Sequence, residues 1–250
     1  MAARPRTAVA TTKAKIPLSA ELMAKIQQDI QDQAEMVQPS NSNRIKLNSA
    51  SGKKYVFPDK REVSEFDGIV VDFATVQVLY NGPFVAGQVN SIVCYASATK
   101  PSDLAPHSEV LTPQATDCKS CAKSKFGPDG SKPECNLRKL LAILPVDADA
   151  STELMVLDLP VMAAKAFDKY AQNTLVTKNL PIYGVITRFS FDDTVKFDSP
   201  RFEAVDVCDG AQGALAYNRR DEARRMLLAA PTINPIEEPV KAASQTPRRR

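Results

Sequence analysis

Short runs of β-branched and aromatic residues recur through most of the chain, and Asn, Ser, Gly or Pro bounds each run. Such runs are typical of β-strands separated by turns. The runs are NRIKL, KKYVF, GIVVDFATVQVLY, NSIVCYASA, LRKLLAILP, ELMVLDLP, IYGVITRFSFDD and RFEAVDV. Because only one helical pattern interrupts them, they favour a small barrel over repeated βαβ units. We therefore predict a mainly β (α+β) fold with flanking helices.

Apolar residues at helical spacing predict three helices. The first covers residues 18–38, begins with Ser19 as its N-cap, and is expected to pack on the domain or on a partner. The second covers MAAKAFDKYAQNTLVTKN, and the residues expected on its buried side are Met162, Ala166, Tyr170 and Leu175. The third covers residues 211–230, where Asp221 and Arg225 have the spacing of a favourable i,i+4 ion pair.

The two ends of the chain differ in character from the middle. Residues 1–17 contain four basic residues and no acidic one, and residues 231–250 contain four prolines and end in three arginines. Both segments are predicted to be disordered and basic. The strands then define one domain over residues 40–210, with an insertion at about residues 94–139. No apolar run approaches the ~18 residues of a membrane span, and none near residue 1 resembles a secretory signal.

Charge and cysteine content narrow the function classes only slightly. The formal net charge is +3 over 250 residues, so global charge alone does not indicate a nucleic-acid partner. The five cysteines are an odd number, and nothing in the sequence suggests secretion. An intracellular, reducing compartment is therefore expected, where clustered cysteines bind metal more often than they form disulfides.

Three of the cysteines lie between Asp117 and Cys135, a segment that we call the cysteine loop. Cys118 and Cys121 have the CxxC spacing of a zinc knuckle, and Cys135 follows fourteen residues after Cys121. Two residues are candidates for a fourth ligand: Cys94, at the end of a predicted strand, and His107, the only histidine. The loop character disfavours a redox pair, and the lack of an HxE or HExxH motif disfavours catalytic zinc. We predict structural zinc, with Cys208 as a separate free cysteine.

The order of motifs resembles a family of bacteriophage proteins over roughly residues 40–205. The matching segments are CYAS, CKSCAKSKFGPDGSKPECNLRKLLAIL, LDLPVMAAKAFDKYAQNTL and IYGVITRFSF. The family has C-x-S, then C-x-x-C-P-x-N-x-(F/W)-G-S, a basic residue before the last Cys, and an R-R-L strand. A helix of the form LP…F..Y…L and a strand of the form V.T..(T/S)F follow. This chain departs from that layout because it has CYAS for C-x-S and lacks the Pro and Asn after CxxC. It also ends in TPRRR, whereas many single-strand binders end in an acidic tail that recruits partners.

The resemblance implies single-stranded DNA binding in phage replication. The chain is also loosely similar to the T-even phage helix-destabilising proteins, which carry a zinc subdomain inserted in an OB-type barrel. By these resemblances the fold would be an OB-type β-barrel with an inserted structural zinc subdomain. The implied ligands are Cys94, Cys118, Cys121 and Cys135. Arg138 and Lys139 would be the basic pair of the arginine-rich strand.

Binding of single strands without sequence readout needs a positive groove for the backbone and aromatic faces for the bases. The candidate contacts are therefore basic and aromatic residues of the predicted strands and of the cysteine loop. They are Lys53, Lys54, Tyr55, Tyr80, Tyr95, Lys119, Lys123, Lys125, Phe126, Arg138, Lys139 and Arg188. The alternative for the lysines is a solvated surface, and for the aromatic residues it is core packing, which we expect for Phe189 and Phe191.

The leading hypothesis is a non-catalytic single-stranded DNA-binding protein of phage replication or recombination, in the cytoplasm of an infected bacterial host. The alternative is an adaptor that recruits a phage or host polymerase through the N-terminal helix or the basic tail, including a cofactor for transcription on single-stranded DNA. An enzyme is disfavoured because the sequence has no P-loop, GxGxxG or HExxH motif. Asp192 and Asp193 are interpreted as a hairpin turn, and no membrane partner is expected.

Overall fold

The computed structural model describes residues 43–48, 52–82, 90–195 and 198–230, together with the isolated positions Lys25 and Asp29. The chain divides into two units, Met1–Ser40 and Asn41–Arg250. The predicted arm over residues 1–17 and the predicted tail over residues 231–250 lie outside the described residues. So does the predicted helix over residues 18–38, apart from Lys25 and Asp29, which are both helical.

Nine strands form one sheet in the part of the chain that the structure describes, and every predicted run contains one of them. In chain order they are β1 (Arg44–Asn48), β2 (Lys54–Val56), β3 (Glu62–Val63), β4 (Phe66–Tyr80), β5 (Ile92–Ala98), β6 (Asn136–Pro145), β7 (Met155–Pro160), β8 (Val185–Phe191) and β9 (Pro200–Val207). The order across the sheet is β3-β2-β1-β7-β6-β4-β8-β9, and β5 pairs with β4. The two-residue strand β3 is too short to leave a pattern in the sequence. The prediction of a mainly β class is confirmed.

The long strand β4 organises the sheet. One of its edges pairs with β6, from Gly68 to Val78. The other edge pairs with β8 at Phe66–Gly68 and with β5 at Thr75–Tyr80. A register shift between Val70 and Asp72 marks a bulge, and bulges bend a strand and increase its twist. The result is a strongly curled half-barrel.

The concave face of the half-barrel holds an aromatic core. Phe189 and Phe191 lie in it, as predicted, together with Tyr55. The Tyr55 ring stacks on Phe191 with centroids 4.5 Å apart, and its hydroxyl donates to the Ser190 carbonyl oxygen at 3.1 Å. These contacts join β2 to β8, which lie far apart in the order of strands. The hairpin turn predicted at Asp192 is also found, because its Oδ1 accepts the Thr194 N–H at 2.9 Å.

Helix α1 (Val161–Gln172) packs on this core, but its buried face differs from the prediction. The buried residues are Ala163, Ala164, Phe167, Tyr170 and Ala171. Of the four residues expected there, only Tyr170 is buried, whereas Met162 is 64% exposed and Leu175 is 41% exposed. Most of the predicted residues are four positions apart, and four residues turn about 40° more than one full helical turn. A stripe with this spacing therefore winds around the helix and leaves its buried face. Phe167 sets the true face, because its ring meets Phe73 edge-on at 5.3 Å.

Two helices cover the convex face, where a single helix was predicted. Helix α2 (Gly210–Asn218) and helix α3 (Arg220–Leu228) are separated at Arg219, whose φ of −90° and ψ of 0° end the helical geometry. The buried residues Ala216, Ala223 and Leu227 pack on the outer side chains of β4 and β6. The predicted pairing of Asp221 with Arg225 is replaced by an approach of 4.0 Å to Arg224.

Candidate metal centre and nucleic-acid surface

Two of the four candidate cysteines, one on β5 and one directly before β6, lie on either side of Leu79. Cys94 lies on β5 directly opposite Leu79. Cys135 immediately precedes β6, whose first residue, Asn136, is opposite Val78. Neighbouring strands are about 4.8 Å apart, so each cysteine lies one strand away from Leu79. Leu79, Cys94 and Val110 form a small buried cluster against which Cys135 packs.

Local hydrogen bonds hold the turn that contains Cys118 and Cys121 close to Leu79 and its two flanking cysteines. The Cys118 N–H donates to the Leu104 carbonyl oxygen at 3.1 Å, which ties the CxxC turn to the segment after β5. The Ser124 hydroxyl contacts the carbonyl oxygens of Cys118 at 2.6 Å and Cys121 at 2.8 Å. The Cys135 N–H donates to the Lys123 carbonyl oxygen at 2.9 Å, which closes the cysteine loop onto the start of β6.

All four cysteines line one narrow cavity, and all are free thiols. Burial, with smaller contributions from the nearby groups of Cys94 and Cys121, raises the pKa of Cys118 to about 11. Burial likewise raises the pKa of Cys135 to about 12, with contributions from the other three cysteines. These raised pKa values keep the thiols of Cys118 and Cys135 neutral at pH 7, and both effects agree with the shared cavity in placing the four cysteines side by side.

The structure groups Cys94, and not His107, with the cysteines of the loop. Cys94 lines the shared cavity. The His107 Nδ1 accepts the Glu109 N–H at 3.3 Å, and its ring centroid lies 6.4 Å from that of Tyr95. Cys208 lies apart from the cluster, where its thiol donates to the Tyr183 carbonyl oxygen at 3.6 Å.

The cluster is not a ready-made metal site. Over residues 43–48, 52–82, 90–195 and 198–230, no group of three or more His, Cys, Asp or Glu side chains is arranged so that it could hold a metal ion. Zinc–sulfur bonds are about 2.3 Å long and need thiolates. Coordination at this cavity would therefore require the four side chains to close in and to bind the ion as thiolates. The donor set fits zinc chemically, because four thiolates are a common structural zinc shell.

The cysteine loop also carries an exposed ring and exposed cations. Phe126 is 71% exposed, and Lys119, Lys125 and Lys132 are exposed on the same loop. Lys123 is instead paired with Glu134 at 2.7 Å. Outside the loop, Leu111 is 95% exposed. The loop therefore offers an aromatic face and exposed lysine side chains to solvent.

Three of the candidate contacts are buried and are removed from the candidate set. The Tyr55 side chain is fully buried and Tyr95 is almost so, because both rings face the cores on the two sides of the sheet. Lys139 is buried with its Nζ paired to Asp168 and lying 5.3 Å from the centroid of the Phe73 ring. The alternation of side chains along a strand shows which residues share a face, but it does not show which face of the sheet is covered.

The remaining candidates on the strands have carboxylate or backbone partners, or are half-buried. Lys53 donates to the Asp192 carbonyl oxygen at 2.6 Å, and Lys54 meets Glu62 at 3.4 Å. Arg138 pairs with Asp158 at 2.7 Å, and Arg188 makes a two-point contact with Asp67 at 2.9 and 3.0 Å. Tyr80 is half-buried. These cations are largely neutralised in the folded protein, which leaves the cysteine loop as the main basic surface among the candidates.

An open cavity of about 710 Å³ lies elsewhere, between the start of β4 and the end of β6. Its apolar floor includes Phe66 and Met155, and its charged residues are Arg61, Glu65, Asp67 and Asp147. Arg61 is itself paired with Asp59 at 3.7 Å. Since carboxylates outnumber cations there, this cavity does not suit a phosphate backbone.

In the part of the chain that the structure describes, no helix is long and apolar enough to cross a membrane. Comparison with known proteins gave a negative result at every level. No protein-family model, no curated protein and no solved structure matches this chain.

Proposed function

We propose that this protein binds single-stranded DNA without catalysis, as part of phage replication or recombination in the cytoplasm of an infected bacterium. Its sheet would be an OB-type barrel that carries a structural zinc subdomain. The observation that supports this proposal best is the exposed Phe126 ring among exposed lysines, on a loop that begins and ends beside four clustered thiols.

Zinc would stabilise a segment that has little core of its own. Between β5 and β6 the buried apolar residues in the described chain are Leu104, Val110 and Cys118. Metal binding supplies folding free energy where hydrophobic burial is insufficient. Four cysteine ligands would fill a tetrahedral shell and leave no open position, so the ion would be structural.

The cysteine loop would bind the strand by stacking and by charge. An exposed phenylalanine offers a face on which an unstacked base can lie, whereas the bases of a duplex are already stacked on each other. Lys119, Lys125 and Lys132 would contact phosphates, and such contacts carry no sequence preference. Binding would therefore be tolerant of sequence and selective for single strands.

The primary experiment is a fluorescence-anisotropy titration of the zinc-loaded full chain with labelled oligo-dT at several salt concentrations. With three phosphate contacts, the plot of log K against log salt should have a slope of about −2 on a single strand. A duplex of the same length should compete poorly. Preference for the duplex, or affinity that does not change with salt, would contradict the proposal.

Replacing Phe126 with alanine should weaken oligo-dT binding by roughly 5- to 150-fold, since a stacked base contributes about 1–3 kcal/mol. The matched control is Leu111→Ala, which removes an apolar side chain that is even more exposed than Phe126 but has no ring. The control should bind as the wild type does, in the same anisotropy assay. Equal losses in both variants would mean that general apolar contact, and not stacking, holds the strand.

The alternative function is that of an adaptor for a phage or host polymerase. The exposed side chains of Leu111 and Phe126 would suit a protein contact as well as a nucleic-acid contact. If the folded, zinc-loaded chain does not bind oligo-dT at low salt, the adaptor replaces the DNA-binding proposal. Direct binding to purified polymerase would then be the measurement of interest.

A further inference from the structure

A buried polar atom without a partner lies on the strand between the candidate cysteines. The Oε1 atom of Gln77 is inaccessible to solvent and has no hydrogen-bond partner among the described residues. Leaving such an atom unpaired costs about 1–3 kcal/mol, so its presence calls for an explanation. Gln77 lines the same cavity as the four cysteines.

Strand register explains why Gln77 reaches this cavity. It pairs with Ala96 of β5 and with Leu137 of β6. Cys94 and Cys135 lie two residues before these partners, and residues two apart on a strand share a face. Gln77 is therefore one pleat away from Leu79, on the face of β4 that the two cysteines flank.

We propose that Gln77 is a positioning residue for the metal centre, and that its side-chain amide donates an N–H hydrogen bond to the thiolate of Cys94 or Cys135. The inference rests on the zinc site of the proposed function. Without a metal ion, the neighbouring thiols are poor hydrogen-bond partners for the Gln77 amide, because a thiol is a weak donor and a weak acceptor. A half-turn of the terminal torsion exchanges Oε1 and Nε2, which brings a donor to the buried position.

Charge explains why such a donor is needed. Four thiolates around one Zn²⁺ leave an excess of two negative charges in a largely buried site. Donors beyond the ligands stabilise that excess and orient the ligands. Lys123, which also lines the cavity, is paired with Glu134. Gln77 lines the cavity from β4 and can donate a hydrogen bond to a thiolate without bringing a further charged side chain into the site.

The test uses the full chain with Zn²⁺ and with Co²⁺ as metals alone. Gln77→Leu replaces the amide with a shorter, apolar side chain, and zinc affinity is measured by competition with a chelating dye. We expect a loss of about 10- to 100-fold, the range typical for outer partners of a metal site. The matched control is Gln114→Leu, since Gln114 lines the same cavity but is exposed and donates to the Thr112 carbonyl oxygen at 3.3 Å. The control should bind zinc as the wild type does.

A spectroscopic readout separates this role from a general effect on folding. An N–H bond to sulfur lowers the energy of the sulfur lone pair, so its loss should shift the thiolate-to-Co²⁺ absorption band to longer wavelength in Gln77→Leu. Gln77→Glu keeps the shape but places an acceptor and a negative charge by the thiolates, and we expect it to bind zinc more weakly still. Wild-type affinity and an unshifted band in Gln77→Leu would overturn the inference, as would tighter binding in Gln77→Glu. Failure of the wild type to bind zinc would instead remove the metal centre itself.

Discussion

Replacing Cys121 with serine is expected to abolish tight zinc binding. Cys94 and Cys118 are buried, and Cys135 packs against the Leu79 cluster, whereas Cys121 is partly buried and lies outside that cluster. Its substitution should therefore disturb packing least. A serine hydroxyl does not replace a thiolate as a zinc ligand, because zinc favours sulfur, nitrogen and carboxylate donors. The loss of zinc affinity should therefore exceed the roughly 10- to 100-fold expected for an outer partner such as Gln77.

The same substitution should release the cysteine loop while the sheet stays folded. The two main cores of the sheet lie on its concave and convex faces and do not include the loop. Trypsin should therefore cut faster at the loop lysines, while the far-UV circular dichroism of the strands is retained. The matched control is Cys208→Ser, because Cys208 lies outside the shared cavity. One zinc ion bound per chain with wild-type affinity in Cys121→Ser would contradict the proposed ligand set.

Replacing Asp72 with alanine is expected to destabilise the fold by about 3 kcal/mol. Asp72 is buried at the bulge of β4, and its Oδ2 accepts from Arg224 Nε at 2.9 Å and from Arg220 at 3.5 Å. Removing one partner of a buried pair costs about 3–5 kcal/mol, because the other charge loses its compensation. We expect the lower end of that range, since the Arg224 side chain is 43% exposed and water can rehydrate it.

A second ion pair on the same strand provides a matched control. Asp67 pairs with Arg188 through two hydrogen bonds, but both side chains are substantially exposed. Asp67→Ala should therefore lose little stability, as exposed ion pairs generally contribute little. Urea unfolding followed by circular dichroism measures both variants, and Asp72→Ala should also melt roughly 6–12 °C lower. Equal stability of the two variants would show that Asp72 does not anchor α3 to β4.

The position of the candidate metal centre follows from the way in which β4 extends beyond the aromatic core of the concave face. Its first half pairs with β8 and encloses the aromatic core, whereas its second half is flanked by β5 and β6. The long segment between β5 and β6 returns over these strand ends and brings Cys118 and Cys121 close to Cys94 and Cys135. An insertion at this point can be anchored to the sheet without interrupting either main core.

Local pattern in the sequence was enough to locate every described strand except β3, and also the cysteine-rich insertion. Alternating β-branched residues identified the runs that became strands, and the CxxC spacing indicated a thiol cluster before any contact was known. Both signals depend on neighbours within a few residues, which is why sequence alone carries them. The OB-type topology, the zinc ion and DNA binding remain predictions.

Tertiary structure alone decided which face of each element is buried and which charges are paired. Apolar periodicity predicted a buried stripe of residues on α1, but the packing of Phe167 against Phe73 determined which side of the helix is buried. Nothing local showed that Tyr55 joins the core, because the contact that buries it comes from Phe191, more than a hundred residues away. Contacts between distant segments likewise determined that Asp72 pairs with Arg224 and that Cys94, and not His107, lies in the cavity with the loop cysteines. Burial and pairing are set by the surfaces that chain topology brings together, and no window of sequence contains both partners.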